Sequence, residues 1–241
     1  MTVTRAVVLA AGRGTRLGAL TAATPKPLLE VGGRPILLRI LDGLAAAGIT
    51  DLALVTGYLG GPVRDAVLAA NLPLHVTWAE QHDLRGTAAA VQLARDVLGD
   101  GPFFFGWGDI VVHSRNYAAI VAAGAEGPAL AVNEVDDPWA GAAVYVTSGG
   151  LVSQIVEKPA PGSSTTRWNN AGLGVLDGRI WPAIEALTPS SRGELELPRA
   201  IASLVGSGVP VRAVPVSGPW FDIGTPESLA AARQAADNGL L

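Results

Sequence analysis

Short apolar runs of strand length alternate with longer alanine- and leucine-rich segments along most of the chain. The apolar runs predict buried strands at residues 6–10, 52–56, 74–79, 103–107, 129–134, 142–146 and 211–216. Apolar positions that repeat with a helical period predict helices at residues 35–47, 62–70, 87–98, 117–123, 195–205 and 226–236.

This alternation is typical of an α/β fold, in which helices cover both faces of a mostly parallel, doubly wound sheet. Such a sheet binds its ligand beyond the carboxyl ends of the strands. Between residues 142 and 176 the pattern changes to short strands with turns at 147–150 and 159–166, which predicts a small antiparallel insertion covering one end of the sheet. Residues 1–241 show no low-complexity linker and no internal repeat, so a single domain is expected.

Composition narrows the classes of function. Of the 241 residues, 49% are hydrophobic and 16% are charged, which is typical of a folded domain with a substantial core. The net charge of −4 and the lack of a basic run argue against a nucleic-acid partner. No apolar run approaches the ~18 residues of a membrane helix or the core of a signal peptide. A cytoplasmic protein that contacts no membrane is therefore expected.

Several common catalytic schemes do not fit the chain. Cysteine is absent, so disulfides, thiolate catalysis and cysteine-ligated zinc are excluded. The three histidines, His75, His82 and His113, lack the spacing of a zinc site or a catalytic triad, and no GxSxG motif occurs.

The loop after the first predicted strand carries glycines and cations in the combination that binds phosphate. Gly12 and Gly14 let the backbone approach a ligand, and Arg13, Arg16 and Lys26 supply positive charge. Lys26 stands between two prolines, which hold it on a stiff segment. These features predict a polyphosphate ligand.

Two familiar phosphate motifs are missing from this loop. A dinucleotide-binding fingerprint needs a third glycine where the chain has Leu17, which argues against a dinucleotide-dependent oxidoreductase. No GxxxxGK[ST] sequence is present either, so a P-loop is excluded.

Residues 9–36, LAAGRGTRLGALTAATPKPLLEVGGRPI, resemble the signature LAAGxGTRLxxLTxxxPKPLLxVxGxPI of the sugar-1-phosphate nucleotidylyltransferases, which include thymidylyl- and uridylyltransferases. The resemblance implies a three-layer α/β/α Rossmann-like fold. It also implies Mg²⁺-dependent transfer of a nucleotidyl group from a nucleoside triphosphate, with UTP or dTTP favoured, to a sugar 1-phosphate, with release of pyrophosphate. The implied catalytic cations here are Arg16 and Lys26, and the implied nucleotide contacts are Leu9, Ala10, Ala11, Gly12, Gly14 and Thr15.

Two isolated aspartates follow apolar segments and match family motifs. Asp109 ends the run Phe-Phe-Phe-Gly-Trp-Gly-Asp, and Asp222 lies in Trp-Phe-Asp-Ile-Gly-Thr-Pro. Magnesium prefers one or two carboxylates, with phosphates and waters completing its shell. Without the resemblance, Asp109 reads as a turn residue, and Thr225-Pro226 reads simply as a helix start. The resemblance implies that Asp109 and Asp222 share the metal.

Residues 81–87 are expected to recognise the base. A glutamine amide offers both a donor and an acceptor to a pyrimidine edge, and glycine gives the backbone access to the base. Gln81, Gly86 and Thr87 match the Q-x4-G-T-A pattern of relatives that use uridine or thymidine triphosphate, although purine-using relatives have similar loops. The Gly86-Thr87 pair also suits a helix N-cap.

The resemblance implies a sugar site built from scattered positions. Glu157 and Lys158 match the family's E-K-P motif. The match implies that Glu157 accepts hydrogen bonds from sugar hydroxyls and that Lys158 is a catalytic residue that holds the phosphate of the sugar 1-phosphate. Asn170 matches an asparagine that bonds the sugar, and Gly141 matches a glycine that approaches it through the backbone. Many relatives have tyrosine where this chain has Ala140, so the sugar stays open. Residues 191–196 match an R-G-E-x-E segment whose Glu194 either lines the sugar pocket or favours a helix N-terminus.

The sequence leaves open whether the protein has turnover, which phosphorylated acceptor it uses, and whether it forms an oligomer. Some relatives are nucleotide-sugar sensors without turnover, and others act on non-sugar acceptors such as choline phosphate. The expected partners are a nucleoside triphosphate and a sugar 1-phosphate, and a homo-oligomer is compatible with the sequence.

Overall fold

The computed structural model of the protein describes residues 1–57, 59–83 and 85–241. Within these residues the strands are β1 (Arg5–Ala10), β2 (Glu30–Val31), β3 (Arg34–Pro35), β4 (Asp51–Thr56), β5 (His75–Glu80), β6 (Phe103–Trp107), β7 (Ile110–Val112), β8 (Ala129–Glu134), β9 (Ala142–Val146), β10 (Val152–Glu157), β11 (Trp168–Leu176), β12 (Arg212–Pro215) and β13 (Trp220–Asp222). The helices are α1 (Leu20–Ala23), α2 (Ile36–Ala46), α3 (Gly60–Ala69), α4 (Thr87–Gln92), α5 (Arg95–Leu98), α6 (Arg115–Gly124), α7 (Ile180–Glu185), α8 (Leu197–Gly206) and α9 (Pro226–Asp237).

One mixed, mostly parallel sheet organises the described residues. Nine strands belong to it, in the order β10-β9-β11-β6-β1-β4-β5, with β8 paired to β11 and β12 paired to β8. The pairings give β10 and β11 the opposite direction to the other strands of this sheet. The parallel strands β1, β4 and β6 therefore end at one edge, where Leu9 lies beside both Val55 and Trp107.

Helices pack on both faces of the sheet, which confirms the three-layer α/β/α prediction. Along β1, Val7 belongs to one apolar core, whereas Ala6 and Val8 belong to the other, as the alternation of a strand requires. Helices α2, α3, α6 and α9 contribute to one core, and α4, α5, α7 and α8 contribute to the other. Among the described residues, no helix has the length and apolar character needed to cross a membrane.

The predicted strands and helices are confirmed to within about two residues at most ends, with two refinements. The helix expected at 87–98 is divided into α4 and α5 around Leu93 and Ala94. The antiparallel strands were expected to cover one end of the sheet, but β9, β10 and β11 continue it sideways. The reason is that eight of the nine residues of β11 are buried, so this strand lies inside the sheet beside β6.

Candidate active site

A cavity of about 530 Å³ opens at the edge where β1 and β6 end. The side of the sheet that carries ligands in α/β folds is therefore also the side with the cavity. Twelve of the residues expected from the sequence line it, namely Leu9, Ala11, Gly12, Gln81, Gly86, Thr87, Asp109, Gly141, Glu157, Lys158, Asn170 and Asp222. The remaining five, Ala10, Gly14, Thr15, Arg16 and Lys26, do not line the cavity.

A short two-stranded ribbon brings the two expected metal ligands together from distant parts of the chain. Strand β13 pairs with β7, with Asp222 opposite Ile110, and the Ile223 N–H donates to the Asp109 carbonyl over 3.0 Å. Directly after Asp222, Thr225 caps α9 and forms a capping box with Ser228, as its Thr-Pro sequence predicted. The carboxylates of Asp109 and Asp222 therefore line the same cavity.

The pKa of Asp222 depends on the nearby Asp109 carboxylate and on two nearby cations. Burial raises the pKa of Asp222 above its ordinary value, and the Asp109 carboxylate raises it further, whereas Lys26 and Arg16 oppose the rise. Lys26 Nζ donates to Asp109 Oδ2 over 2.5 Å. Lys26 is only 8% exposed and does not line the cavity, whereas the Asp109 side chain is 31% exposed, so the lysine approaches this carboxylate from the protein interior.

The glycine loop and the Pro-Lys-Pro segment pack against each other behind the acidic pair. Gly14 has a φ of +65°, and a Cβ there would lie 3.0 Å from the Cβ of Lys26. The Thr21 hydroxyl donates to the Gly14 carbonyl over 3.1 Å, which fixes the loop. A Cβ at Gly224 would lie 2.9 Å from an Arg16 nitrogen, so Arg16 lies against the backbone two residues beyond Asp222.

The donor set suits a small hard cation better than a soft one. No cluster of three or more histidine, cysteine, aspartate or glutamate side chains that fits a metal occurs in residues 1–57, 59–83 and 85–241. Two carboxylates, of which Asp109 raises the pKa of Asp222, leave most of a coordination shell to ligand oxygens and water, and Mg²⁺ prefers that arrangement. Asp109 and Asp222 therefore fit the expected metal.

The base segment is held by its own hydrogen bonds. Gln81 is 9% exposed, and its side-chain nitrogen donates to the Gly86 carbonyl over 3.2 Å, so its amide oxygen is left as the acceptor. The Thr87 hydroxyl accepts the Leu197 N–H over 2.9 Å. Gly86, and not Thr87, is the N-cap residue of α4. Leu84, inside the expected base segment, lies outside the described residues.

Glu157, at the end of the cavity that is expected to bind the sugar, has a raised pKa. Burial raises its pKa to about 7, with further increases from Glu196 and Glu194, while Arg192 opposes the rise. Arg192 Nη2 lies 3.6 Å from Glu157 Oε1 and also pairs closely with the buried Glu196. Lys158 has a left-handed φ of +45°, and its N–H donates to the Gly141 carbonyl over 2.8 Å.

The strand β11 supplies polar groups to the same end of the cavity. Asn170 is 4% exposed, and its Oδ1 accepts the Gly172 N–H over 2.9 Å. Its Nδ2 has no hydrogen-bond partner among the described residues. A Cβ at Gly141 would lie 2.2 Å from Asn169 Oδ1, so a larger residue does not fit there.

Several cavity residues were not identified as ligand contacts from the sequence: Trp107, Asp137, Asn169, Arg192, Glu196 and Trp220. The R-G-E-x-E segment was the available signal for Arg192 and Glu196, whereas the Asp-Asp-Pro group around Asp137 resembles an ordinary turn. Trp220 donates its indole N–H to the Ala171 carbonyl over 2.9 Å and so braces the strand that carries Asn170.

Comparison with known proteins agrees with this geometry. Residues 5–239 match the family model described as nucleotidyl transferase. The low-salt glycan biosynthesis nucleotidyltransferase Agl11 of Haloferax volcanii is 32% identical over 234 residues, which cover 95% of this chain and 65% of Agl11. A glucose-1-phosphate thymidylyltransferase of Streptomyces antibioticus is 34% identical over 224 residues, covering 91% of this chain and 62% of that enzyme. The chain thus spans slightly less than two thirds of these two relatives.

Another relative matches along nearly its whole length, and solved structures share the fold. The UTP–glucose-1-phosphate uridylyltransferase AglF of Haloferax volcanii is 34% identical, with 95% of each chain covered. A Bacillus anthracis structure described as a glucose-1-phosphate thymidylyltransferase with sucrose has a TM-score of 0.84 at 28% identity, covering 96% of this chain and 94% of that one. A UDP-glucose pyrophosphorylase complexed with UDP-glucose shows the same fold, with a TM-score of 0.89 at 18% identity and 99% and 100% coverage. The chain therefore belongs to the nucleotidyl transferase family, among the sugar-1-phosphate nucleotidylyltransferases.

Proposed function

We propose that the protein transfers a nucleotidyl group from a nucleoside triphosphate to a sugar 1-phosphate and releases pyrophosphate. One observation supports this most strongly. Asp109 and Asp222, which lie more than a hundred residues apart, line one cavity and are opposed by Lys26 and Arg16. A site that binds two anionic substrates needs this combination of carboxylates for a cation and fixed positive charge for phosphate.

The reaction itself needs little covalent chemistry from the protein. An oxygen of the acceptor phosphate attacks the α-phosphorus, and the bond to the bridging oxygen breaks as pyrophosphate leaves with the electron pair. A phosphate monoester is largely ionised near pH 7, so no general base has to remove a proton from the nucleophile. Lys158 holds the acceptor phosphate, and Arg16 and Lys26 stabilise the charge that develops on the leaving group. Catalysis consists of positioning and charge stabilisation.

Magnesium is the proposed cofactor, held by Asp109 and Asp222. A bound divalent cation would neutralise the triphosphate and orient it for in-line attack. The ion pair between Lys26 and Asp109 keeps this carboxylate directed at the site before a cation binds. The glycine loop, from Leu9 to Thr15, supplies backbone N–H groups for the phosphates.

UTP or dTTP is the proposed nucleotide because Gln81, Gly86, Thr87 and Ala88 match the Q-x4-G-T-A pattern, and the orientation of Gln81 is compatible with either base. Its amide nitrogen is engaged with the Gly86 carbonyl, so its oxygen is available to a donor on the base. Uracil and thymine carry such a donor, the imide N–H, on their pairing edge. On the acceptor side, Glu157, Asn170 and Gly141 are the proposed sugar contacts, with the unpartnered Asn170 amide as a donor to sugar oxygens.

We further propose that residues 1–241 act as one nucleotidyltransferase domain, which the shared sheet and its two flanking cores support. The net charge of −4 supports a protein without a nucleic-acid partner. A cytoplasmic location completes the proposal, which is compatible with either a monomer or a homo-oligomer.

A pyrophosphate-release assay tests the proposed function. UTP, dTTP, CTP, GTP and ATP are each combined with sugar 1-phosphates and with choline phosphate, with Mg²⁺ or with EDTA. We expect release that needs Mg²⁺ and is fastest with UTP or dTTP and a sugar 1-phosphate. Binding of a nucleotide sugar without release from any pair would indicate a sensor and overturn the proposal. Activity confined to choline phosphate would overturn its sugar acceptor.

A further inference from the structure

Two parts of the site with different expected ligands are hydrogen-bonded to each other. Residues 85–88, at the end of the base segment, lie against the acceptor loop, residues 187–196, which contributes Arg192 and Glu196 to the sugar side of the cavity. The Leu195 N–H donates to the Arg85 carbonyl over 2.7 Å, and the Ala88 N–H donates to the Leu195 carbonyl over 2.9 Å. Leu195 therefore joins the two segments through both of its backbone polar groups.

The crossing point of the two segments requires glycine. A Cβ at Gly86 would lie 2.4 Å from the Leu195 carbonyl oxygen and 2.7 Å from its nitrogen. Gly86 also has a φ of +104°, which L-residues with side chains rarely adopt. Gly86 thus brings the acceptor loop into contact with the base segment, in addition to any contact it makes with a base.

Thr87 supplies the bond that fixes the end of the acceptor loop. Helix α8 begins at Leu197, and its N-cap residue Glu196 makes no side-chain capping bond. The first N–H groups of a helix need acceptors from outside the helix, and the Thr87 hydroxyl accepts the Leu197 N–H over 2.9 Å. A side chain of the base segment therefore caps the helix that starts where the acceptor loop ends.

The capped end is connected to the sugar side by charged contacts. Glu196, directly before Leu197, is 4% exposed and accepts from Arg192 Nε over 3.1 Å. Arg192 in turn lies 3.6 Å from Glu157. A displacement of Leu197 would therefore also displace the neighbouring Glu196 carboxylate. That carboxylate holds Arg192 beside Glu157.

We infer that Thr87 is a positioning residue for the acceptor side of the site, and not chiefly a nucleotide contact. Its hydroxyl holds the N–H of Leu197, and the adjacent Glu196 in turn positions Arg192 beside Glu157, where the sugar 1-phosphate is expected to bind. Because Gln81 donates to Gly86 in the same segment, nucleotide that binds Gln81 also stabilises the acceptor loop. This inference rests on the proposed function, since it assigns the acceptor to the cavity end that contains Glu157.

Kinetics of three variants test the inference. Thr87→Val keeps the shape of the side chain and removes the acceptor for the Leu197 N–H, whereas Thr87→Ser retains it. Ser207→Ala is the matched control, since it removes a hydroxyl bond to the Leu204 carbonyl at the opposite end of α8. Each variant is assayed with the best nucleotide and sugar 1-phosphate of the pyrophosphate screen. We expect Thr87→Val to raise the acceptor KM about tenfold, since an unpaired buried N–H is costly, and to leave the nucleotide KM within about twofold. Thr87→Ser and Ser207→Ala should resemble wild type.

Hydrogen exchange provides a readout that does not need turnover. With UTP or dTTP alone, we expect slower amide exchange across residues 190–197 in the wild type, and a smaller effect of nucleotide in Thr87→Val. Equal rises in both KM values would mean that Thr87 contacts the nucleotide directly, and unchanged KM values would mean that the bond does not position the acceptor side; either result overturns the inference. If no pair of substrates releases pyrophosphate, the proposed function fails, whatever the exchange data show. If nucleotide slows exchange across residues 190–197 as much in Thr87→Val as in the wild type, the coupling between the two segments is refuted.

Discussion

Glu157 is expected to destabilise the folded protein at neutral and alkaline pH, and its replacement by glutamine should reveal by how much. Burial, with Glu196 and Glu194, raises the pKa of Glu157 from 4.5 to about 7. A carboxyl with a raised folded-state pKa binds more protons folded than unfolded between these values, so stability falls as pH rises through that window. At 1.36 kcal/mol for each pH unit, the full penalty above pH 7 is at most about 3 kcal/mol.

Chemical denaturation of wild type and Glu157→Gln between pH 4.5 and 8 measures this penalty. We expect the two proteins to be nearly equal in stability at pH 4.5, and the variant to be more stable by up to about 3 kcal/mol at pH 8. Glu126→Gln is a suitable control, since Glu126 is an exposed partner of Arg212, and its effect should hardly vary with pH. A Glu157→Gln stability difference that is constant across this range would refute the reasoning.

Three further perturbations address the rest of the site. Lys26→Met should lower kcat/KM for pyrophosphate release by about 10² to 10³, because the leaving group loses a fixed cation, and a tenfold or smaller loss would contradict that role. Asp222→Asn should raise the Mg²⁺ concentration for half-maximal activity by at least about tenfold, because even the loss of a group that only hydrogen-bonds a metal ligand weakens metal binding by that factor. An unchanged midpoint in the Mg²⁺ titration would show that Asp222 does not bind the metal. Gly86→Ala should destabilise the fold by about 2–4 kcal/mol, since its Cβ would meet Leu195 at a positive φ. Gly61→Ala, where no atom lies within 4 Å of the added Cβ, should be tolerated, and equal unfolding midpoints for the two alanine variants would show that the close approach is relaxed at little cost.

The parts of the fold that the sequence predicted well are those in which local pattern and tertiary burial agree. The run Phe103–Trp107 is continuously apolar, and the structure has a buried strand with the same bounds. Strand β11 was less evident, because Trp168–Leu176 contains asparagine and glycine, which are depleted in strands. Its central place depends on pairing with β6 and β8, which lie far away along the chain.

The same distinction applies to the site. The resemblance to family motifs predicted twelve of the residues that line the cavity. It did not predict that Arg192 would lie between Glu157 and Glu196, because those contacts join β10 to the loop before α8. The sequence also did not predict that Thr87 accepts the N–H of Leu197 at the start of α8. The pattern around Thr87 suggested a cap for α4, the helix that directly follows it.

The ribbon between β7 and β13 has a consequence for the protein during its synthesis. The ribosome delivers the loop with Lys26, the base segment and Asp109 long before it delivers Asp222. A growing chain can therefore assemble its parallel strands while only one of the two carboxylates exists. If both carboxylates are needed, as proposed, turnover requires that β13 has emerged and paired with β7, and chains that end before Asp222 should not consume nucleoside triphosphates.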